Sequence, residues 1–334
     1  MTKRNKILYS LSALVLLFLL AGFLIPGVIQ IEKEACTDIP KTYLYNIVND
    51  LSMYRIWNQS RFEIASEQAA DQNPLKGENS VLQITSDGSV SGIVKIISAS
   101  TDSIVYETTV EDKKKSEKSV FRITERDGMT CIYATVEIRR PFPSNIIGFI
   151  AAIGRRKSLK KSLQQLTDIA DKRYREGIYR GYKINEEVQE ARYFIINRSE
   201  VKIENTKQFY TQNISALYQA LLDAGINSSG MPCGLFFKWD EQKGTADMAA
   251  AIPVLSELYI RDTGNFQIPA RRVLVIEYYG DSANSGVAHY AMDDYMADRG
   301  LLQDIPVIEE YVTDPSKEPD PAKWLTRIIY LPAE

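Results

Sequence analysis

The chain has one histidine, three cysteines and a formal net charge of only −3 in 334 residues. Each scarcity excludes a class of chemistry. A lone imidazole, His289, cannot build a multi-histidine metal site and leaves one candidate for any Ser-His-Asp arrangement. His289 falls in Gly286–Arg299, which reads as an amphipathic helix, and spacing gives it no partner, so a packing or surface role is expected. Cys36, Cys131 and Cys233 are far apart, odd in number and lack C-x-x-C spacing. Neither zinc nor a disulfide framework is expected of them, and they read as buried small hydrophobes. A nearly balanced charge gives no electrostatic footprint for nucleic acid, and no helix-turn-helix segment is found. The expectation is therefore no metal, no cofactor and no nucleic acid.

What the chain does have starts at its N-terminus. Lys3, Arg4 and Lys6 precede an apolar run from Ile7 to Ile29, broken only by Tyr9, Ser10, Ser12 and Pro26–Gly27. About 20 apolar residues span a hydrocarbon core of roughly 30 Å. The cations before the run predict a cytoplasmic segment 1–6, a transmembrane anchor 7–29 and soluble domains on the extracytoplasmic (periplasmic) side of a single-pass membrane protein. A cleaved signal peptide is the competing reading. The run is longer than an ordinary signal core, no A-x-A pattern follows it, and Phe23 stands where a lipoprotein needs cysteine.

About 300 residues remain, enough for two domains with real cores. The first, 30–173, reads as an opening strand (Val28–Ala35), helical pattern through Ile39–Leu51 and the Trp57 region, and then five strand-like runs. Asp127–Gly128 marks a hairpin turn. A long helix, Asn145–Arg173, closes the segment with Leu159, Leu163, Leu166 and Ile169 at helical spacing. The pattern predicts a curved antiparallel sheet gripping a helix. Near the start of that helix Ile146, Ile147, Phe149, Ile150 and Ile153 form an apolar patch, flanked by Arg139, Arg140, Arg155, Arg156 and Lys157. Two readings are open: the patch lines the mouth of an interior cavity with cations snorkelling outward, or it lies on anionic lipid.

This segment resembles the START/polyketide-cyclase-like (SRPBCC) superfamily. The resemblance rests on Asp38–Ile39–Pro40 after the opening strand, the helix Tyr43–Asn49, Tyr54–Asn58 before the meander, and Pro141–Phe142–Pro143 leading into the last helix. It implies a helix-grip fold with a deep cavity for an apolar ligand. No residue here matches a catalytic group.

The charged stretch 174–190 reads as an exposed linker, partly helical. Beyond it, 191–334 carries an internal repeat. Strand Tyr193–Ile203, helix Lys207–Ala224 and strands Gly234–Asp240 and Ala246–Val254 form one unit. Strand Arg271–Tyr279, helix Gly286–Arg299 and strands Pro306–Val312 and Leu325–Leu331 form the other. Gly225 and Gly300 occupy matching left-handed helix stops. The fold class expected is α+β: an N-terminal transmembrane helix, a helix-grip antiparallel sheet domain, and a pseudo-twofold tandem βαββ domain.

The second domain resembles the gyrase-inhibitor-like (GyrI-like) effector-binding family. Matching stretches are Gly234–Asp240, Met248–Val254, Ile268–Gly280, Pro306–Pro315 and Trp324–Pro332. The resemblance implies a groove for small, often cationic and aromatic molecules, with an acidic residue facing it two positions before an aromatic. Here these are Glu309 and Tyr311, on one face by strand alternation. Repeat symmetry adds Trp239, and Phe237, Tyr279 and Tyr330 complete the expected ligand wall. Glu310 points the other way. Many relatives carry glutamate in the last strand where this chain has Arg327, which, if it faces the groove, neutralises Glu309 or favours anions.

The expected function is a membrane-anchored protein that binds or senses a small molecule, apolar or cationic aromatic. Two alternatives stand beside it. One is a hydrolase of small electrophiles with Glu309 as general base, no other catalytic residue being assigned. The other is a structural envelope interaction module.

Overall fold

The computed structural model describes residues 22–58, 75–86, 89–110, 115–140, 142 and 144–333. The chain divides into two units, Met1–Lys172 and Arg173–Glu334. Residues 7–21 of the expected anchor lie outside the described residues. Among the described residues no helix is long and apolar enough to cross a membrane. The far end of the expected anchor is corrected: Val28 and Ile29 open strand β1 (Val28–Thr37), paired with Arg139 and Ile138.

In the first unit β1 is followed by helices α1 (Lys41–Val48) and α2 (Leu51–Trp57). Strands β2 (Val81–Ser86), β3 (Ser89–Ser100), β4 (Ser103–Val110), β5 (Lys115–Arg126) and β6 (Met129–Arg139) form the meander. The antiparallel sheet runs β1-β6-β5-β4-β3-β2, so the first and last strands are neighbours. Asp127 and Gly128 both take positive φ, the geometry of a tight hairpin between β5 and β6. Helix α1 buries Tyr43, Leu44, Ile47 and Val48; α2 is capped by Asp50, whose carboxylate accepts from the Ser52 amide at 2.9 Å. Trp57, Tyr54, Tyr106 and Phe121 pack ring against ring inside the sheet, and the Tyr106 hydroxyl donates to the Val48 carbonyl. Helix α3 (Asn145–Arg175) buries Leu159, Leu163, Leu166 and Ala170 along one stripe. Its Gln165 donates to the Ile56 carbonyl at 2.9 Å, tying it to α2.

Two expectations for this unit fail. Ile147, Phe149, Ile150 and Ile153 are exposed, so the patch does not line an interior mouth. Cys36 and Cys131, expected as free buried thiols, are disulfide-bonded, because β1 and β6 place them directly opposite each other.

The second unit is one eight-stranded sheet. Its strands are β9 (Asn185–Gln189), β10 (Arg192–Lys202), β11 (Cys233–Asp240), β12 (Thr245–Val254), β13 (Gly264–Ile268), β14 (Arg271–Tyr279), β15 (Gln303–Tyr311) and β16 (Leu325–Pro332). The short pair β7 (Ile178–Tyr179) and β8 (Tyr182–Lys183) precedes it. The order β13-β10-β12-β11-β15-β16-β14-β9 reads as two mirror-ordered halves joined at β11·β15. Helices α4 (Thr206–Asp223) and α5 (Gly286–Asp298) link the first and second strands of each half. Gly225 and Gly300 follow them with φ of 69° and 63°. The segment 174–190 is not the exposed, partly helical linker expected. It carries β7 to β9, buries Tyr179 and Ile184, and supplies an edge strand to β14.

The sheet has two differently used faces. Helix α4 packs Leu217 and Leu221 on Ile195, Ala250 and Ile252. The opposite face gathers Phe194, Leu235, Phe237, Val275, Ile308 and Ile329 into a second apolar cluster.

Only Cys233 is then a free thiol, and it is buried. Under native, non-reducing conditions no cysteine should react with iodoacetamide, whereas denatured chain should take one label, at Cys233. Reduction should cost the first unit about 4 kcal/mol, given the loop of about 95 residues that the bond closes. Native labelling of Cys36 or Cys131 would contradict the pairing.

Candidate functional site

Glu309 and Glu310 are adjacent on β15, so their side chains leave opposite faces of the sheet. Both are buried, and their surroundings differ in charge. Glu310 accepts from Arg192 at 2.9 Å and from Arg327 at 3.2 Å. Arg327 also reaches Glu187 at 2.7 Å. Glu310 is thus a neutralised carboxylate, held in an ion-pair chain beside the apolar cluster.

Among the described residues Glu309 has no arginine partner. Its Oε2 accepts from the Tyr311 hydroxyl at 2.8 Å, and its Oε1 lies 2.9 Å from His289 Nε2. The other imidazole nitrogen, Nδ1, is 3.1 Å from the Tyr330 hydroxyl, and the Asp293 carboxyl lies near enough to act on that phenol. A chain of hydrogen-bonded contacts therefore runs Tyr311–Glu309–His289–Tyr330 across β15, α5 and β16. From the other helix, Tyr210 of α4 sets its ring edge-on to Tyr311, centroids 4.8 Å apart. The Tyr210 hydroxyl is buried and has no hydrogen-bond partner among the described residues. The cluster lies where β11, β15 and β16 adjoin, with Tyr210 of α4 against Tyr311 and with His289 of α5 against Glu309 and Tyr330.

Gly234 makes the floor possible. It lies opposite Glu309 in the register, and a Cβ there would sit 3.2 Å from the Tyr311 hydroxyl and 3.0 Å from the Phe236 ring. A side chain at this position would push on the group that holds Glu309.

Proton placement constrains the charge. Burial above all, and then the Glu309 charge, hold the Tyr311 hydroxyl well above the usual tyrosine range. Burial likewise raises Tyr210 and Tyr330, so all three phenols are protonated donors at neutral pH. Partial burial also raises the Asp293 carboxyl, with the His289 imidazole pulling it down. With Nε2–H of the imidazole donating to Glu309, Nδ1 of that tautomer accepts from the Tyr330 hydroxyl.

The seven sequence-predicted site residues divide by face. Glu309, Tyr311 and Tyr330 are joined in the chain of contacts. Trp239 is on the same face, half exposed, its ring 6.0 Å from Phe236. The other three are corrected. Phe237 is on the opposite face, against Phe266 at 5.3 Å and under the Arg198 guanidinium at 3.6 Å. Tyr279 pairs with Leu325 in the register that pairs Glu277 with Arg327, which turns it away from Glu309. Arg327 neutralises Glu310, so the alternative in which it cancels Glu309 fails. His289 is corrected in the other direction: it has partners on two strands. Tyr210 and Asp293 were not singled out in the sequence. The signal available for Tyr210 was its place in the first two turns of a repeat helix, matching His289 in the other.

No protein-family model matches the chain, and no curated protein matches it. Solved structures offer remote likenesses. The C-terminal domain of EcmrR is 16% identical with a TM-score of 0.41, over 46% of this chain and 98% of that one. EcmrR in a complex with DNA is 15% identical with a TM-score of 0.43, over 64% of this chain and 88% of that one. Ara h 8.0201 is 16% identical with a TM-score of 0.29, over 44% of this chain and 99% of that one. At such scores no chemistry carries across.

The two carboxylates should answer substitution differently. Glu310→Gln removes the shared countercharge of two half-buried arginines, of which Arg327 keeps Glu187, and should cost about 2 kcal/mol in urea unfolding. Glu309→Gln keeps an acceptor for Tyr311 and offers its amide to neutral His289, so it should cost less than about 1 kcal/mol. Equal losses would show that the two environments are not distinct.

Proposed function

We propose that the groove between α4 and α5 binds a small cationic aromatic molecule, with Glu309 as the counter-charge and Tyr210, Tyr311, Tyr330, Phe236 and Trp239 as its aromatic surround. One observation carries the reading: among the described residues Glu309 is a buried carboxylate held by a tyrosine hydroxyl and an imidazole and by no arginine or lysine, while Glu310 beside it is neutralised by two arginines. A desolvated anion without a permanent countercharge favours a cation, and aromatic faces add cation–π attraction.

The protein is accordingly a membrane-anchored small-molecule binding or sensing protein. The apolar run at the N-terminus supplies the anchor, with the folded units on the extracytoplasmic side. The Cys36–Cys131 disulfide supports that side, since such bonds persist in oxidising compartments. A second reading has its own observation: the carboxylate–imidazole contact at 2.9 Å suits general acid–base work on a small electrophile, with Glu309 as base.

Titration of the full chain with N-methylquinolinium, followed by tryptophan fluorescence, tests the first reading. Saturable quenching should weaken roughly 10- to 100-fold in Glu309→Gln, the loss of one charge-assisted contact of about 1.5–3 kcal/mol. Neutral quinoline should bind weakly and ignore the substitution. Equal affinity of wild type and Glu309→Gln for the cation would rule the reading out. Product formation from an electrophilic probe, abolished in Glu309→Gln, would favour the hydrolase.

A further inference from the structure

The first two turns of α3 invert the usual arrangement of a surface helix, which turns large apolar residues inward. Asn145, Gly148 and Ala152 face in, whereas Ile147, Ile150 and Ile153 are 62%, 64% and 57% exposed. Gly148 is required inside, since a Cβ there would sit 2.8 Å from the Arg140 side chain. Beyond Ile153 the outward residues become basic: Arg156, Lys157, Lys160 and Lys161 are all exposed. Lys157 lies about 10 Å along the axis from Ile150.

The end of the N-terminal apolar run is fastened to this same helix. Buried Asn145 donates through Nδ2 to the carbonyls of Gly22 at 2.6 Å and Ile25 at 2.7 Å. Phe23 lies 5.3 Å from Phe142, and a Cβ at Gly22 would strike the Phe142 ring at 2.9 Å. Phe23 and Leu24 are themselves 81% and 87% exposed. An apolar surface therefore leads from Phe23 and Leu24, inside the apolar run, through Phe142 to the start of α3, with cations behind it.

We propose that this surface is a membrane-docking face: Phe23, Leu24, Ile147, Ile150 and Ile153 enter the acyl boundary of an anionic bilayer, and the basic residues behind them meet its headgroups. The occupant follows from continuity with a run long enough to span the bilayer, and from charge complementarity. The anchor would then be a hinge-free mount for the first unit, with orientation set by a second contact. This rests on the anchored reading and is independent of the groove.

Because Cys233 is buried and the other two cysteines are joined, a thiol-reactive fluorophore reports only on an introduced cysteine. The full chain carrying Ile150→Cys or Asp168→Cys would be labelled with an environment-sensitive dye and reconstituted in phosphatidylcholine–phosphatidylglycerol vesicles containing brominated acyl chains. The dye at position 150 should shift to the blue and lose most of its emission to the bromines, while that at 168 stays aqueous. Arg156→Glu with Lys157→Glu should reduce the quenching at 150 without reducing flotation. Chain that floats with an aqueous dye at 150 overturns the docking face and leaves the anchor standing. Chain that does not float overturns both. Disulfide cross-linking between Ile150→Cys chains without lipid quenching assigns the face to a second copy, and likewise overturns the proposal.

Discussion

The hydrogen-bonded pairing of β11 with β15 joins the two halves of the second unit and, by strand alternation, decides which neighbours each of two adjacent carboxylates meets. A slip of one residue would exchange Glu309 and Glu310 between faces. One would then lose its arginines and the other its phenols. Gly234 is part of the same constraint, because it is the residue across which the Tyr311 hydroxyl reaches its carboxylate. Register here carries more chemistry than the identity of any single side chain.

That dependence explains what was readable beforehand. Hydrophobic period and turn residues are local, so the strand–helix repeat, its glycine stops at 225 and 300 and the long α3 were visible in the chain. Glu309 and Tyr311 were visible too, because alternation along an unbroken strand puts them together. Phe237 and Trp239 obey the same spacing and yet separate. A bulge between Phe236 and Lys238 resets the alternation, so Phe237 keeps the face of Leu235 while Trp239 returns to that of Phe236. Nothing local announces that bulge.

The remaining misses are tertiary. His289 meets a strand 20 residues downstream, and a helical wheel has no means of naming that partner. Tyr278 and Tyr279 are both aromatic, and only the register against Arg327 decides which one turns away from the groove. An odd cysteine count concealed a bond between positions 95 residues apart, which become neighbours when the first strand closes onto the last. The segment 174–190 looked like a connector because its strands are short and polar, and their pairing partners lie elsewhere in the chain.

The closure of β1 onto β6 has a mechanical side. The two strands are antiparallel, and a pull on the chain at Val28 would peel β1 from that end, breaking its ladder a few hydrogen bonds at a time. Such unzipping is the weak direction of a sheet edge. Here the peel runs into a covalent stop at Cys36, where the load passes through the sulfur bridge into β6 and the hairpin behind it. Force from the N-terminal side can therefore fray the edge strand only as far as that bridge, which works as a strain relief for the sheet.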